Sequence, residues 1–134
     1  MRSGARLSMT ARILATAVGA FYLLTGAWAF LFPVIFYSTI ATFSPYNLHL
    51  IHDAGAFQVG MGASLVAAAV VGRGLAPVLL GVSAGSLLHL VAHLIDIRLG
   101  GHPTTDVPIL VVIVVALAVA FALETRSTIL SRRP

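Results

Sequence analysis

Four apolar stretches, each about twenty residues long or more and nearly free of charge, decide what this chain can become. A helix needs about 20 mostly apolar residues to cross the roughly 30 Å hydrocarbon core of a bilayer, at about 1.5 Å of rise per residue. Lipid gives backbone groups no hydrogen-bond partner, so helix is the expected conformation of each stretch. The first runs from about Ala11 to Leu31 and stops before Pro33. The second runs from about Pro45 to Val71, with Ser44 as N-cap and Pro45 at the first helical position. The third runs from about Leu75 to Arg98 and ends at the Gly100-Gly101 pair. The fourth runs from about Val107 to Leu123, with Asp106 as cap. The expected fold is therefore all-α: one domain over residues 1–134, a polytopic four-transmembrane-helix bundle.

Composition agrees. The chain is 59% hydrophobic and 9% charged, with a mean hydropathy of +1.02. A soluble domain is roughly 45–50% apolar and about 25% charged, so this chain lacks the charge to cover a water-facing surface. There is no cysteine, which removes disulfides, thiolate metal sites and thiol redox chemistry. The net charge of +4 rests on arginine alone. Arg2, Arg6 and Arg12 precede the first span, Arg73 lies between the second and third, and Arg126, Arg132 and Arg133 follow the fourth. Only Arg98 falls on the other side, so the positive-inside rule gives N-in, C-in topology in a bacterial inner membrane. A charge confined to helix ends and one loop is not the patch a nucleic acid would need, and none is expected as a partner.

The basic N-terminus, the apolar run and Ala27-Trp28-Ala29 also resemble a cleavable leader. The run continues through Phe30, Leu31 and Phe32, which favours an uncleaved anchor. The connection from Phe32 to Phe43 is rich in aromatic rings and is expected to lie along the outer interface.

The polar residues inside the spans are few and concentrated. In the second span His49, His52 and Asp53 recur at helical spacing, and in the third His89, His93 and Asp96 do the same. The turn between these spans is short, so they are antiparallel neighbours. Counting outward from Gly72-Arg73 sets His52 level with His93 and His49 level with Asp96, while His89 meets Ala56. An ionisable side chain facing lipid costs roughly 2.5–3.5 kcal/mol on insertion scales, so the two sets are expected to face each other inside the bundle.

Four uses of such a cluster stand open at this point. It can be a hydrogen-bonded group that fixes helix register. It can be a metal site, with His49, His52, Asp53, His89, His93 and Asp96 offering nitrogen and oxygen to zinc, copper or iron. His52 and His93 can be the axial ligands of haem b. A His/Asp chain can also move protons or a small substrate. The segment "HLVAH" lacks the glutamate of a zinc-peptidase helix, and there is no phosphate loop or nucleophile elbow. Frequent glycines (Gly19, Gly26, Gly55, Gly60, Gly62, Gly81, Gly85) point to close helix packing, and Gln58 to a hydrogen bond across the bundle.

At "FYLLTGAWAFLFP", "SPYNLHLIHDAGAFQVGMGASLVAAA" and "HLVAHLIDIRLGGH" the chain resembles small bacterial four-helix membrane proteins of the DoxX-like or domain-of-unknown-function type, over roughly residues 20 to 123. The resemblance implies a four-helix inner-membrane bundle and carries no catalytic assignment. Two functions are expected: metal or haem binding in a redox or accessory role, or a structural subunit held in the bilayer against a membrane-protein partner or a second copy of itself.

Overall fold

The computed structural model describes residues 8–130. Arg2, Arg6, Arg132 and Arg133, which enter the charge argument, lie outside the described residues. Five helices follow one another: α1 (Met9–Leu31), α2 (Pro33–Thr39), α3 (Leu48–Val71), α4 (Leu75–Ile95) and α5 (Pro103–Leu130). The four long ones are each long and apolar enough to cross a membrane, which makes this a multi-pass membrane chain. Among the described residues there is no strand, only an isolated bridge between Phe43 and Gly100.

Several boundaries differ from expectation for local reasons. α3 begins at Leu48, not Pro45, because Asn47 is the cap: its Oδ1 accepts the Leu50 N–H at 3.1 Å. α4 stops at Ile95, with Asp96 as C-cap, and Ile97 and Arg98 lie in the turn closed by the Leu99 N–H on the Asp96 carbonyl. Among the described residues Arg98 forms no ion pair with Asp96 or Asp106. α5 starts at Pro103 and continues past Leu123 to Leu130. That extension has a partner: Glu124, which reads as an ordinary helix-end charge, is 2% exposed, and its Oε2 accepts the Ser8 N–H at 3.1 Å. A carboxylate there complements the positive end of the α1 dipole. Close by, Arg12 Nε donates to the Ala69 carbonyl at 2.8 Å and satisfies a group left open at the end of α3. Arg12, Arg73 and Arg126 thus mark one end of the bundle, and the histidines mark the other.

Packing depends on close backbone approach. Apolar burial gives helices in lipid no driving force, so shape and small residues decide which faces meet. α1 carries Gly19 and Gly26, and α3 carries Gly55 and Gly62, the same seven-residue step on each helix. Run antiparallel, Gly19 meets Gly62 and Gly26 meets Gly55. A Cβ at Gly62 would stand 2.6 Å from the Gly19 carbonyl oxygen, and one at Gly26 would stand 2.8 Å from that of Gly55. This seam makes α1–α3 the most extensive helix contact, with α4–α5 second; α3 and α4 meet far less. Buried residues from all four long helices, among them Ala15, Leu65, Leu79 and Leu117, form the main core.

Two polar links cross the core and set its register. The Tyr22 and Ser86 hydroxyls, 2% and 1% exposed, are 2.7 Å apart and join α1 to α4. Ser86 Oγ donates to the Val82 carbonyl at 2.8 Å, so the phenol is the donor to Ser86. Thr25 Oγ1 donates to Gln58 Oε1 at 2.6 Å and joins α1 to α3, the bond across the bundle expected for Gln58. Intramembrane hydrogen bonds contribute about 0.6–2 kcal/mol, so Tyr22→Phe is expected to cost about 1 kcal/mol in reversible unfolding from mixed micelles. The loss stays small because Ser86 keeps its bond to Val82.

At the histidine-bearing end, α2 folds the chain back over the bundle. Phe36 is buried against Trp28, Ala29 and Ile51, the Tyr37 hydroxyl donates to the Phe43 carbonyl, and Tyr46 packs on Tyr37. The Phe43–Gly100 bridge and the Gly101 N–H on Thr42 Oγ1 (3.2 Å) tie this connection to the α4–α5 turn. Gly100 has a φ of +139° and lies against the Thr42 carbonyl, so only glycine fits there.

Candidate functional site

The six residues proposed from sequence fall at one end of the bundle, but in separate groups rather than one. His49 and Asp53 are four residues apart on α3, with Nε2 and Oδ2 at 3.4 Å and side chains 87% and 51% exposed. His52, on another face of α3, stacks on Phe30 of α1 with ring centroids 5.0 Å apart. His89 and His93 meet on α4, their Nε2 atoms 3.1 Å apart and ring centroids 4.9 Å apart. Asp96 is the exposed C-cap of α4. Among the described residues no hydrogen bond, ion pair or ring contact joins a histidine of α3 to one of α4, and no three His, Asp or Glu residues gather closely enough to hold a metal ion.

The expected level pairs, His52 with His93 and His49 with Asp96, are therefore not formed. The reason is the glycine seam. It draws α3 toward α1, turns His52 onto Phe30, and leaves α3 with far less contact to α4 than to α1. A short connection makes two helices neighbours in order, but it does not decide which faces pack.

The His89–His93 pair is the most developed feature. Helical residues at i and i+4 lie one above the other on the same side, which brings the two rings together. One Nε2–H donates to the other ring's Nε2. Both nitrogens can instead turn to one cation. Zinc binds histidine nitrogen at about 2.0–2.1 Å, and two such bonds at a tetrahedral angle place the nitrogens about 3.3 Å apart. The observed 3.1 Å is within a few tenths of that bite. Asp106, in the first turn of α5, is within electrostatic reach of His89, and its Oδ2 accepts the His102 N–H at 2.7 Å.

Sequence reasoning placed His89 and His93 on one face of α4, where they meet, but missed the buried polar groups Tyr22, Ser86 and Glu124. A signal for Ser86 existed: it is three residues before His89, so the polar face of α4 extends one turn deeper than the histidines. Tyr22 and Glu124 carry no comparable pattern in the chain. Comparisons with protein-family models, with curated proteins and with solved structures return no match.

Proposed function

We propose that this chain is a multi-pass protein of the bacterial inner membrane whose His89–His93 pair holds a transition-metal ion close to the extracytoplasmic face, in a redox or accessory role. The observation that carries this reading is the 3.1 Å separation of the two Nε2 atoms on an exposed stretch of α4. A register-fixing role is weaker for this pair. Both rings belong to one helix, and the links between helices are made by Tyr22–Ser86 and Thr25–Gln58. Two imidazoles at this bite suit zinc, copper or iron, with remaining positions open to water or another ligand. Haem b draws less support, since His52 packs on Phe30 and not across from His93. Orientation rests on the arginines: Arg12, Arg73 and Arg126 share one end, and the positive-inside rule makes that end cytoplasmic. The DoxX-like assignment rests on the sequence resemblance alone.

Metal content tests the reading. Protein purified in mild detergent from cells supplied with zinc, copper and iron is expected to carry about one equivalent of transition metal per chain, by the one-site reading of the pair. The His89→Ala, His93→Ala double variant, folded by its helical spectrum, is expected to fall to background. Metal-free wild-type protein, or full retention by the double variant, overturns the proposal.

A further inference from the structure

α3 has two opposite faces. One, with Ile51, Gly55, Gly62 and Leu65, is buried, and its glycines meet α1. The other carries His49, Asp53, Ala56, Gly60, Ala63 and Ala67, and every one of these is exposed. A Cβ on Gly60 would meet nothing within 4 Å. The steps along this stripe alternate four and three residues, the 3.5-residue repeat that keeps one seam against a parallel partner helix.

The charges on the stripe say what covers it. The 24 residues of α3 rise about 36 Å against about 30 Å of hydrocarbon, so Asp53, five residues on from Leu48, lies about 4–5 Å inside the apolar layer when the helix is centred. Its Oδ2 is 3.4 Å from Nε2 of His49, yet the two side chains stay 51% and 87% exposed. An ionisable group turned to acyl tails is unfavourable, and a covering surface with a donor for Asp53 at the same depth relieves it. A second copy of this chain, side by side in the same orientation, has that donor. In parallel helices with this repeat, each knob enters a hole of four partner residues. For Asp53 that hole includes His49 and Asp53 of the second copy. Each carboxylate is then flanked by imidazoles from both chains, and the alternation offsets the repulsion between the two carboxylates. Further along, Ala56, Gly60, Ala63 and Ala67 let the two backbones approach closely. The exposed side of α5 has neither property: Val112, Val115 and Val119 are bulky and carry no polar group.

We infer that the chain forms a parallel two-fold homodimer through this α3 stripe, with Asp53 of each copy held by His49 of the other and Gly60 at the close approach. The His89–His93 pair lies on α4, so the interface is independent of the metal reading. Because the chain has no cysteine, one introduced thiol reports one position. A disulfide needs Cα atoms within about 7 Å, so on mild oxidation in native membranes Ala63→Cys is expected to give covalent dimers at least about tenfold more than Val112→Cys on α5. The product is expected at twice the 14.0 kDa chain mass. Gly60→Leu removes no contact within the chain, and Asp53→Ala removes the charge. Each, added to Ala63→Cys and folded by its helical spectrum, is expected to lower the yield about tenfold, the scale of one or two intramembrane hydrogen bonds or of lost close packing. Cross-linking no better than that of Val112→Cys, or a yield that either variant leaves unchanged, overturns the interface. A product of any other mass assigns the face to a different protein and overturns the second copy.

Discussion

Gly62→Val is expected to cost about 3 kcal/mol or more, enough to unseat α1 from α3 in detergent. The added Cβ would stand 2.6 Å from the Gly19 carbonyl oxygen and 2.8 Å from the Leu23 amide nitrogen, both backbone atoms of α1. A flexible side chain could swing aside, but a helix backbone cannot yield without moving the whole seam. The matched control is two residues away. Gly60→Ala introduces a Cβ that meets nothing within 4 Å, so its stability is expected within about 0.5 kcal/mol of wild type. Reversible unfolding in mixed micelles, followed by the helical signal, measures both. Equal stabilities for the two variants would show that α1 and α3 do not pack through these glycines.

The second large effect concerns the site. If the proposed metal site holds, His93→Ala removes one of its two imidazoles and is expected to weaken zinc binding at least about 100-fold, or about 2.8 kcal/mol, since each factor of ten corresponds to about 1.4 kcal/mol. Outer partners of a metal ligand typically change affinity by about 10–100-fold, so a direct donor belongs at or above the top of that range. His49→Ala, in the separate pair with Asp53, is expected to change affinity no more than about twofold. Competition with a chromophoric chelator measures both. A larger loss from His49→Ala than from His93→Ala would move the site to α3.

The four membrane-crossing helices were legible because length and hydropathy alone decide them, and each long apolar stretch became one long helix. Their ends were less legible. Asn47 and Asp96 took the capping positions through local hydrogen bonding, and α5 runs on past Leu123 through Glu124, whose tertiary bond from Ser8 no local pattern announces. For the candidate site, the placing of the histidines and carboxylates at one end of the bundle was legible, but their grouping was not. Equal depth in a hairpin suggested that α3 and α4 would close on each other. The competing signal was also present: two glycine pairs with the same seven-residue step, Gly19 with Gly26 on the first span and Gly55 with Gly62 on the second. Where apolar burial does not choose partners, the pair of faces that approaches most closely wins, and that pair is α1 and α3. His52 turned with its helix onto Phe30, and the α4 histidines were left to pair along their own axis.

X-ray absorption at the zinc edge of the chain incubated with zinc addresses the proposed two-imidazole site most directly. The predicted spectrum has nitrogen and oxygen donors at about 2.0–2.1 Å and the multiple scattering of two imidazole rings, with the imidazole signal lost in the His89→Ala, His93→Ala variant. A spectrum without imidazole scattering, or one the double variant leaves unchanged, would contradict it.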